Sequence, residues 1–312
     1  MSKIAWISTN TITCGGMLVP FEYISRMKKR GIETDMFAEE GNPELEAFYG
    51  IKVRPLSELQ TTENDVIIST RWEQCERLNG MQGRKFQFVQ GDDIQLLGDD
   101  ISRNQCAFWR NHPDWELIGV SRYSLMRWNR GEVIPNGLNE RFLTSLPVTK
   151  DIDILIEGNN EPNKNIPAAM SIALGVKTVR PNTRIVWMGR ETDDRMGIEC
   201  ITNPNQEDIP SVYQRAKVLI KLSKSEGFSL PILEAMASGC LVVTTTMGGN
   251  DDWCDHERNC LLVSDCMPVD EIVEHLENGK HTWVVERAKM TAKQFNWNES
   301  INKMLYVTGG NR

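Results

Sequence analysis

Short apolar runs rich in β-branched and aromatic residues alternate along this chain with longer stretches of helical periodicity. That alternation is the pattern of an α/β protein with parallel sheets. In the first half the runs are KIAWIS (3–8), ETDMFA (33–38), DVIIST (65–70), KFQFVQ (85–90) and WELIGVS (115–121). Most are nearly continuous in apolar character, as strands covered on both faces are. A helical pattern from about residue 20 to 30, closed by Gly31, joins the first two runs into a β-α-β unit. RYSLMRWNR (122–130) also reads as a helix. In the second half the strand runs are DIDILIEG (151–158), RIVWMGRE (184–191), AKVLIK (216–221) and LVVTTT (241–246). VDEIVEHLENG (269–279) is an amphipathic helix, and FNWNESINKMLYV (295–307) a closing one. No internal repeat or low-complexity tract occurs, so the halves are alike only in architecture. A linker around 145–150 predicts two Rossmann-like domains, 1–146 and 147–312.

Composition changes this picture little. At 312 residues the chain is long enough for two cores. A net charge of −8 gives no global attraction to nucleic acid or an anionic membrane. Local basic stretches occur at 26–30 and 122–130. No run of about eighteen apolar residues exists, so no transmembrane helix is expected. The opening MSKIAWISTN reads as a first strand rather than a signal peptide. None of the eight cysteines forms a C-x-x-C pair, which favours free thiols in a reducing, cytoplasmic setting. Cys254, Cys260 and Cys266 recur at a spacing of six near His256, looser than zinc ligands usually are.

The stretch with most chemistry is KSEGFSLPILEAMASG (224–239). It reads as a loop turning into a helix. Leu230 precedes a proline and is biased away from helical geometry, Pro231 suits the first helical position, and Gly239 is a natural stop. Such a helix mouth offers free N–H groups around Phe228, Ser229, Leu230 and Ile232, together with the positive end of a dipole. Both favour a phosphate. Glu226 lies before the mouth and Glu234 one turn inside. Carboxylates accept hydrogen bonds from sugar hydroxyls. A phosphate seat flanked by two hydroxyl acceptors suits a nucleotide sugar. Elsewhere, Gly15 and Gly16 sit at a strand-to-helix turn, where glycine allows close backbone approach to a diphosphate. Arg71, Gln90, Asp92 and Asp93 follow the carboxyl ends of predicted strands, where ligands of open α/β sheets bind. Arg122, Arg127 and Arg130, with Tyr123 and Trp128 between them, read as a solvated face or as a contact for an anionic or stacked acceptor.

EGFSLPILEAMASGCLVVTTTMGG (226–249) closely resembles the E-x7-E signature of retaining glycosyltransferases of the GT-B fold, the family numbered four. "Strand, VS, helix, VIPNG, F" (115–142) and RNCLLV (258–263) resemble the same family. The resemblance implies two Rossmann-like domains facing a cleft, with the closing helix (about 292–308) crossing back to the first. It implies transfer from a nucleotide-diphosphate sugar, UDP- or GDP-linked, with retention of configuration, without metal or other cofactor. The leaving phosphate would accept the proton of the acceptor hydroxyl. Catalysis would fall to Glu226, which orients the sugar, to Lys164, which contacts the diphosphate, and to Asp92. The donor would be bound by Gly15, Gly16, Asn160, Gly189, Arg190, Gly227, Phe228, Ser229, Leu230 and Glu234, the last on the ribose. Thr202 and Asn203 would border the base. Arg71, Gln90, Asp93 and Arg122 are acceptor-side candidates. Two departures stand out. Asn159, Asn160 and Glu161 occupy the region where relatives carry a phosphate-binding arginine, and no histidine lies near Asp92. The acceptor is open: a glycan, a lipid, a protein, a small molecule or a modified DNA base. A nucleotide-sugar epimerase and a non-catalytic binding module are the competing readings.

Overall fold

The computed structural model describes residues 3–11, 15–61, 63–91, 108–109, 111–143, 148–193, 197–263 and 268–309. The chain forms two compact units, Met1–Gly137 with Trp297–Arg312, and Leu138–Asn296.

In the first unit the strands are β1 (Ile4–Asn10), β2 (Thr34–Glu40), β3 (Val53–Pro55), β4 (Val66–Ser69), β5 (Arg84–Val89), β6 (Glu116–Gly119) and β7 (Glu132–Val133). They form one all-parallel sheet in the order β3-β2-β1-β4-β5-β6-β7. Its helices among the described residues include α1 (Gly15–Lys29), α2 (Pro43–Tyr49), α3 (Trp72–Leu78) and the single-turn α4 (Arg122–Leu125). The start of α2 follows capping rules. Asn42 accepts from the N–H groups of Glu44 and Leu45, Pro43 opens the helix, and Gly50 ends it in the left-handed conformation.

The second unit holds β8 (Ile152–Glu157), β9 (Ile185–Gly189), β10 (Glu199–Thr202), β11 (Ala216–Lys221), β12 (Leu241–Thr244) and β13 (Leu261–Leu262). These too are all parallel, ordered β10-β9-β8-β11-β12-β13. Its helices are α5 (Ile166–Val179), α6 (Ile209–Arg215), α7 (Leu230–Ala237), α8 (Val269–Asn278) and α9 (Thr282–Ala292). One face of the sheet buries Ile154, Ile156, Val218, Ile220, Leu241 and Val243 with Ile166, Ala173 and Val176 of α5. Each such side chain removed from water contributes about 1.5–3 kcal/mol. In both sheets the first strand of the unit lies beside the fourth, and the order reverses between them. Ligands of doubly wound sheets bind at that switch point, beyond the carboxyl ends of the strands.

The last helix, α10 (Trp297–Thr308), belongs to the first unit. Trp297 is buried against Tyr23, ring centroids 5.1 Å apart, and Ser300 Oγ donates to Pro135 O at 2.7 Å. Phe295, two residues earlier, packs against Phe228 and Trp253 in the second unit.

The fold departs from the sequence reading at several places. Helix α1 begins at Gly15, so Gly15 and Gly16 form its first turn rather than a loop. Pro20 lies inside it and has no N–H for Gly16 O. Gln90 Nε2 donates to that carbonyl at 2.7 Å and satisfies it. Within 122–130 only Arg122–Leu125 is helical. The division of the chain falls at Gly137–Leu138, ahead of the 145–150 linker, because Leu138 N–H bonds to Phe295 O and Phe142 packs on Tyr213. Leu230 is already helical, so Pro231 occupies the second position. Strand β10 and helix α9 were not legible, being half exposed and weakly periodic.

Candidate active site

The carboxyl ends of β8 and β11 carry the site of the second unit. After β8 the chain turns through Gly158 to Lys164, and after β11 it runs through Ser223 to Glu226 into α7. Asn163 joins these two loops. Its side chain donates to Ser225 O (2.8 Å) and accepts from Ser225 N–H (3.1 Å), while its carbonyl accepts from Lys224 N–H (2.8 Å). The next residue, Lys164, is thereby set opposite Glu226, with Nζ 2.9 Å from Oε1.

A second cation reaches the same oxygen. Lys221, the last residue of β11, is fully buried. Its Nζ lies 3.3 Å from Glu226 Oε1 and 2.6 Å from Glu157 Oε2 at the end of β8. Two lysines and two glutamates therefore form one neutral cluster. Burial alone would raise the Glu226 carboxyl; Lys221 and Lys164 more than reverse this and hold it at about 2. Burial alone would lower the Lys221 ammonium, but Glu157 and Glu226 keep it above its ordinary value. Glu226 is thus a fixed carboxylate, able to accept hydroxyl hydrogen bonds and unable to act as a proton donor near neutrality.

The backbone of Glu226 is fixed as tightly as its side chain. Its N–H donates to Met247 O and its carbonyl accepts from Gly249 N–H, both at 2.9 Å. Asn250, fully buried, ties this glycine loop through Met247 N–H and Thr245 O. Gly249 packs on the motif backbone so closely that a Cβ there would stand 2.3 Å from Gly227 C. Phe228 is buried against Trp253 and Phe295, so only its backbone faces the helix mouth.

At the mouth of α7, the N–H groups of Phe228, Ser229 and Leu230 bond to nothing among the described residues. Ile232 N–H, expected to be free, is taken by Ser229 O at 3.2 Å. Ser229 is left-handed (φ 67°, ψ 66°), caps nothing with its side chain, and buries an Oγ without a partner. Glu234 lies one turn inside the helix, half-buried.

At the carboxyl ends of β8 and β9, Asn159 Oδ1 accepts from Arg190 N–H at 2.8 Å and draws the two loops together. A cavity of about 500 Å³ opens there, lined by Asn160, Glu191, Thr192, Asp193, Cys200 and Thr202. Its size fits a small-molecule moiety. Thus Glu226, Lys164, Gly227 and the α7 mouth come together, and Asn160, Gly189 and Arg190 cluster near the cavity. Asn163, Lys221 and Glu157 were missed by sequence reasoning. The one signal was Lys221 directly following the apolar run VLI (218–220).

In the first unit, Gly16 and Gln90 are brought together as described. Arg71 stands exposed at the start of α3, beyond β4, and Arg122 opens α4. Arg130 donates to Trp109 O at 3.4 Å, and Trp128 packs on the core, which divides the basic stretch. Asp92 and Asp93 lie outside the described residues, as does Cys266. Cys254 and Cys260 are buried free thiols. The adjacent Cys260, and then burial, push the Cys254 thiol up, which keeps it protonated. Among the described residues no group of three His, Cys, Asp or Glu side chains is arranged to hold a metal.

Residues 152–289 match the family model described as Glycosyl transferases group 1. Over 264 residues the chain is 32% identical to O-antigen chain mannosyltransferase B of Escherichia coli, covering 76% of this chain and 66% of that protein. It is 23% identical over 232 residues to an uncharacterized glycosyltransferase of Methanocaldococcus jannaschii, covering 68% and 64%. The chain thus spans about two thirds of the length of these two relatives. Among solved structures, Anabaena HepE in complex with UDP and glucose superposes with a TM-score of 0.84 at 15% identity, covering 99% of this chain and 100% of that one. The fold is GT-B, with two parallel-sheet α/β units. The family match and the homologues support a glycosyltransferase enzyme.

Proposed function

We propose that this protein is a retaining glycosyltransferase that moves a sugar from a nucleotide-diphosphate sugar to an acceptor hydroxyl without a metal ion. The observation that carries this reading is the Lys164–Glu226 pair beside the unpartnered N–H groups of Phe228, Ser229 and Leu230. A diphosphate seated on the α7 mouth would meet those donors and the helix dipole. It would also draw Lys164 from Glu226. Glu226, then free on one side, accepts hydroxyls of the transferred sugar, Glu234 accepts from the ribose, and the cavity beside Asn160 takes the nucleoside. UDP and glucose in HepE, and the name of the mannosyltransferase relative, support a nucleotide-linked hexose as donor.

In the reaction, the acceptor oxygen forms a bond to the anomeric carbon as its bond to the phosphate breaks. The acceptor proton passes to the departing phosphate oxygen on the same face, which leaves as nucleoside diphosphate. No protein nucleophile is needed. The chain stabilises charge on the leaving group through preorganised donors; removing one such donor typically costs about 2.7–4 kcal/mol in the transition state. The acceptor is assigned to the first unit, where Arg71 and Gln90 lie beyond the carboxyl ends of β4 and β5.

The test measures nucleotide released from a panel of nucleotide sugars, with and without acceptors, and weighs the product. Glu234→Ala is expected to weaken donor binding, and Glu226→Ala to lower turnover mainly. If both variants transfer sugar at the wild-type rate, the site assignment is wrong. A changed sugar still attached to nucleotide, formed from donor alone, would establish an epimerase instead.

A further inference from the structure

Lys221 is an expensive residue for its position. It ends a central strand, fully buried, where an apolar side chain would fold at lower cost. Glu157 lies beside it on β8, in the register that pairs Ile156 with Ile220, and binds its ammonium at 2.6 Å. Glu226 is also within 3.3 Å, yet Glu226 already has Lys164 at 2.9 Å. One cation would neutralise Glu226; two share a single oxygen. The two lysines differ in freedom. Lys164 stands on a loop with a partly exposed side chain, whereas Lys221 is enclosed and held by Glu157.

We infer that Lys221 is a positioning residue: it keeps Glu226 ionised and aimed when Lys164 turns to the donor diphosphate. This rests on the donor site proposed above. Without a second cation, departure of Lys164 would leave a buried carboxylate unpaired beside an arriving anion. Glu226 would then take up a proton or turn away. With Lys221 in place, the Glu157–Lys221–Glu226 chain stays intact while Lys164 changes partner. The charged groups facing Glu226 are Lys164, from the loop before α5, and Lys221 of β11, which Glu157 of β8 holds from behind. Tyr213 of α6 senses Glu157 and Glu234 but, pushed up chiefly by burial, stays a neutral phenol.

Lys221→Met combined with Glu157→Gln removes the cation without stranding a buried charge. The expected result is an acid limb of turnover moved up by about 1–3 pH units, and a kcat at neutral pH lowered about 100-fold by loss of Glu226 alignment. Donor affinity stays within a few-fold. A structural role alone would lower the melting temperature and leave the acid limb in place, and that outcome overturns the inference. A second measurement needs no variant. Carboxyl carbon resonances of the wild-type protein are titrated with saturating UDP or GDP. Glu226 should remain a carboxylate down to about pH 3 with nucleotide bound. Protonation near the ordinary glutamate value in the complex overturns the role of Lys221 while leaving the donor site standing. Failure of both nucleotides to bind overturns the donor site, and the inference with it.

Discussion

Ser229→Gly should stabilise this protein. Ser229 is held at φ 67° and ψ 66°, where a side chain crowds its own backbone at a cost of about 1–2 kcal/mol. Its hydroxyl is buried without a partner, which costs about 1–3 kcal/mol more. Glycine adopts this conformation freely but loses about 0.5–1 kcal/mol in extra chain entropy on folding. The net gain is about 1–4 kcal/mol, or about 2–4 °C of melting temperature per kcal/mol. Ser229→Ala separates the two effects. It removes the hydroxyl and keeps the Cβ, so it should recover only the hydroxyl part. The assay is urea and thermal unfolding of the ligand-free protein, with all three forms compared at one pH and ionic strength. A Ser229→Gly protein no more stable than wild type would refute the reasoning, since it would show that neither the strain nor the orphan hydroxyl carries its cost.

Two further outcomes are expected. Gly249→Ala places a methyl 2.3–2.4 Å from the Gly227 and Phe228 backbone, so the motif loop must shift. Overpacking of that kind costs about 1–3 kcal/mol, and a displacement of about 1 Å at the helix mouth lowers turnover about 100-fold; wild-type turnover in this variant would show that the loop contact does not position the site. Stability should also depend on acid. Glu226 is depressed from 4.5 to about 2, and Asp153 is depressed too, burial there being outweighed by Lys217, the Arg184 N–H and Arg180. Groups depressed in the folded state stabilise it above their unfolded values and lose that contribution as pH falls. The melting temperature should therefore be flat above about pH 5 and fall from about pH 4.5 toward 2, Glu226 accounting for about 3 kcal/mol. A Glu226→Gln protein with the same acid dependence as wild type would contradict this.

Much of the fold was legible because buried parallel strands write themselves as apolar runs. KIAWIS and DIDILIEG needed no context. ECIT (199–202) gave no such run, because β10 is an edge strand whose four residues are all at least partly exposed. TWVVERAKMTA puts Ala288 and Ala292 in its buried stripe and leaves the larger Trp283 and Met290 in water, so α9 was silent. At the site, the carboxylates and the helix mouth are local features and could be read locally. Asn163, Lys221 and Glu157 act through partners about sixty positions away. Leu230 shows the converse: the local rule for a residue before proline was overridden where Ser229, in the left-handed region, turned the chain into the helix one residue early.

The return of α10 to the first unit has a consequence for biosynthesis. The second unit is one unbroken stretch, 138–296, and all of it has been synthesised before Trp297 is added. The first unit precedes it in the chain, yet the ring that packs on Tyr23 and the hydroxyl that binds Pro135 O belong to residues made after the whole second unit. Its aromatic core therefore waits, open on one side, through the whole synthesis of its neighbour. Of the two units, the one whose synthesis starts earlier is the one completed later.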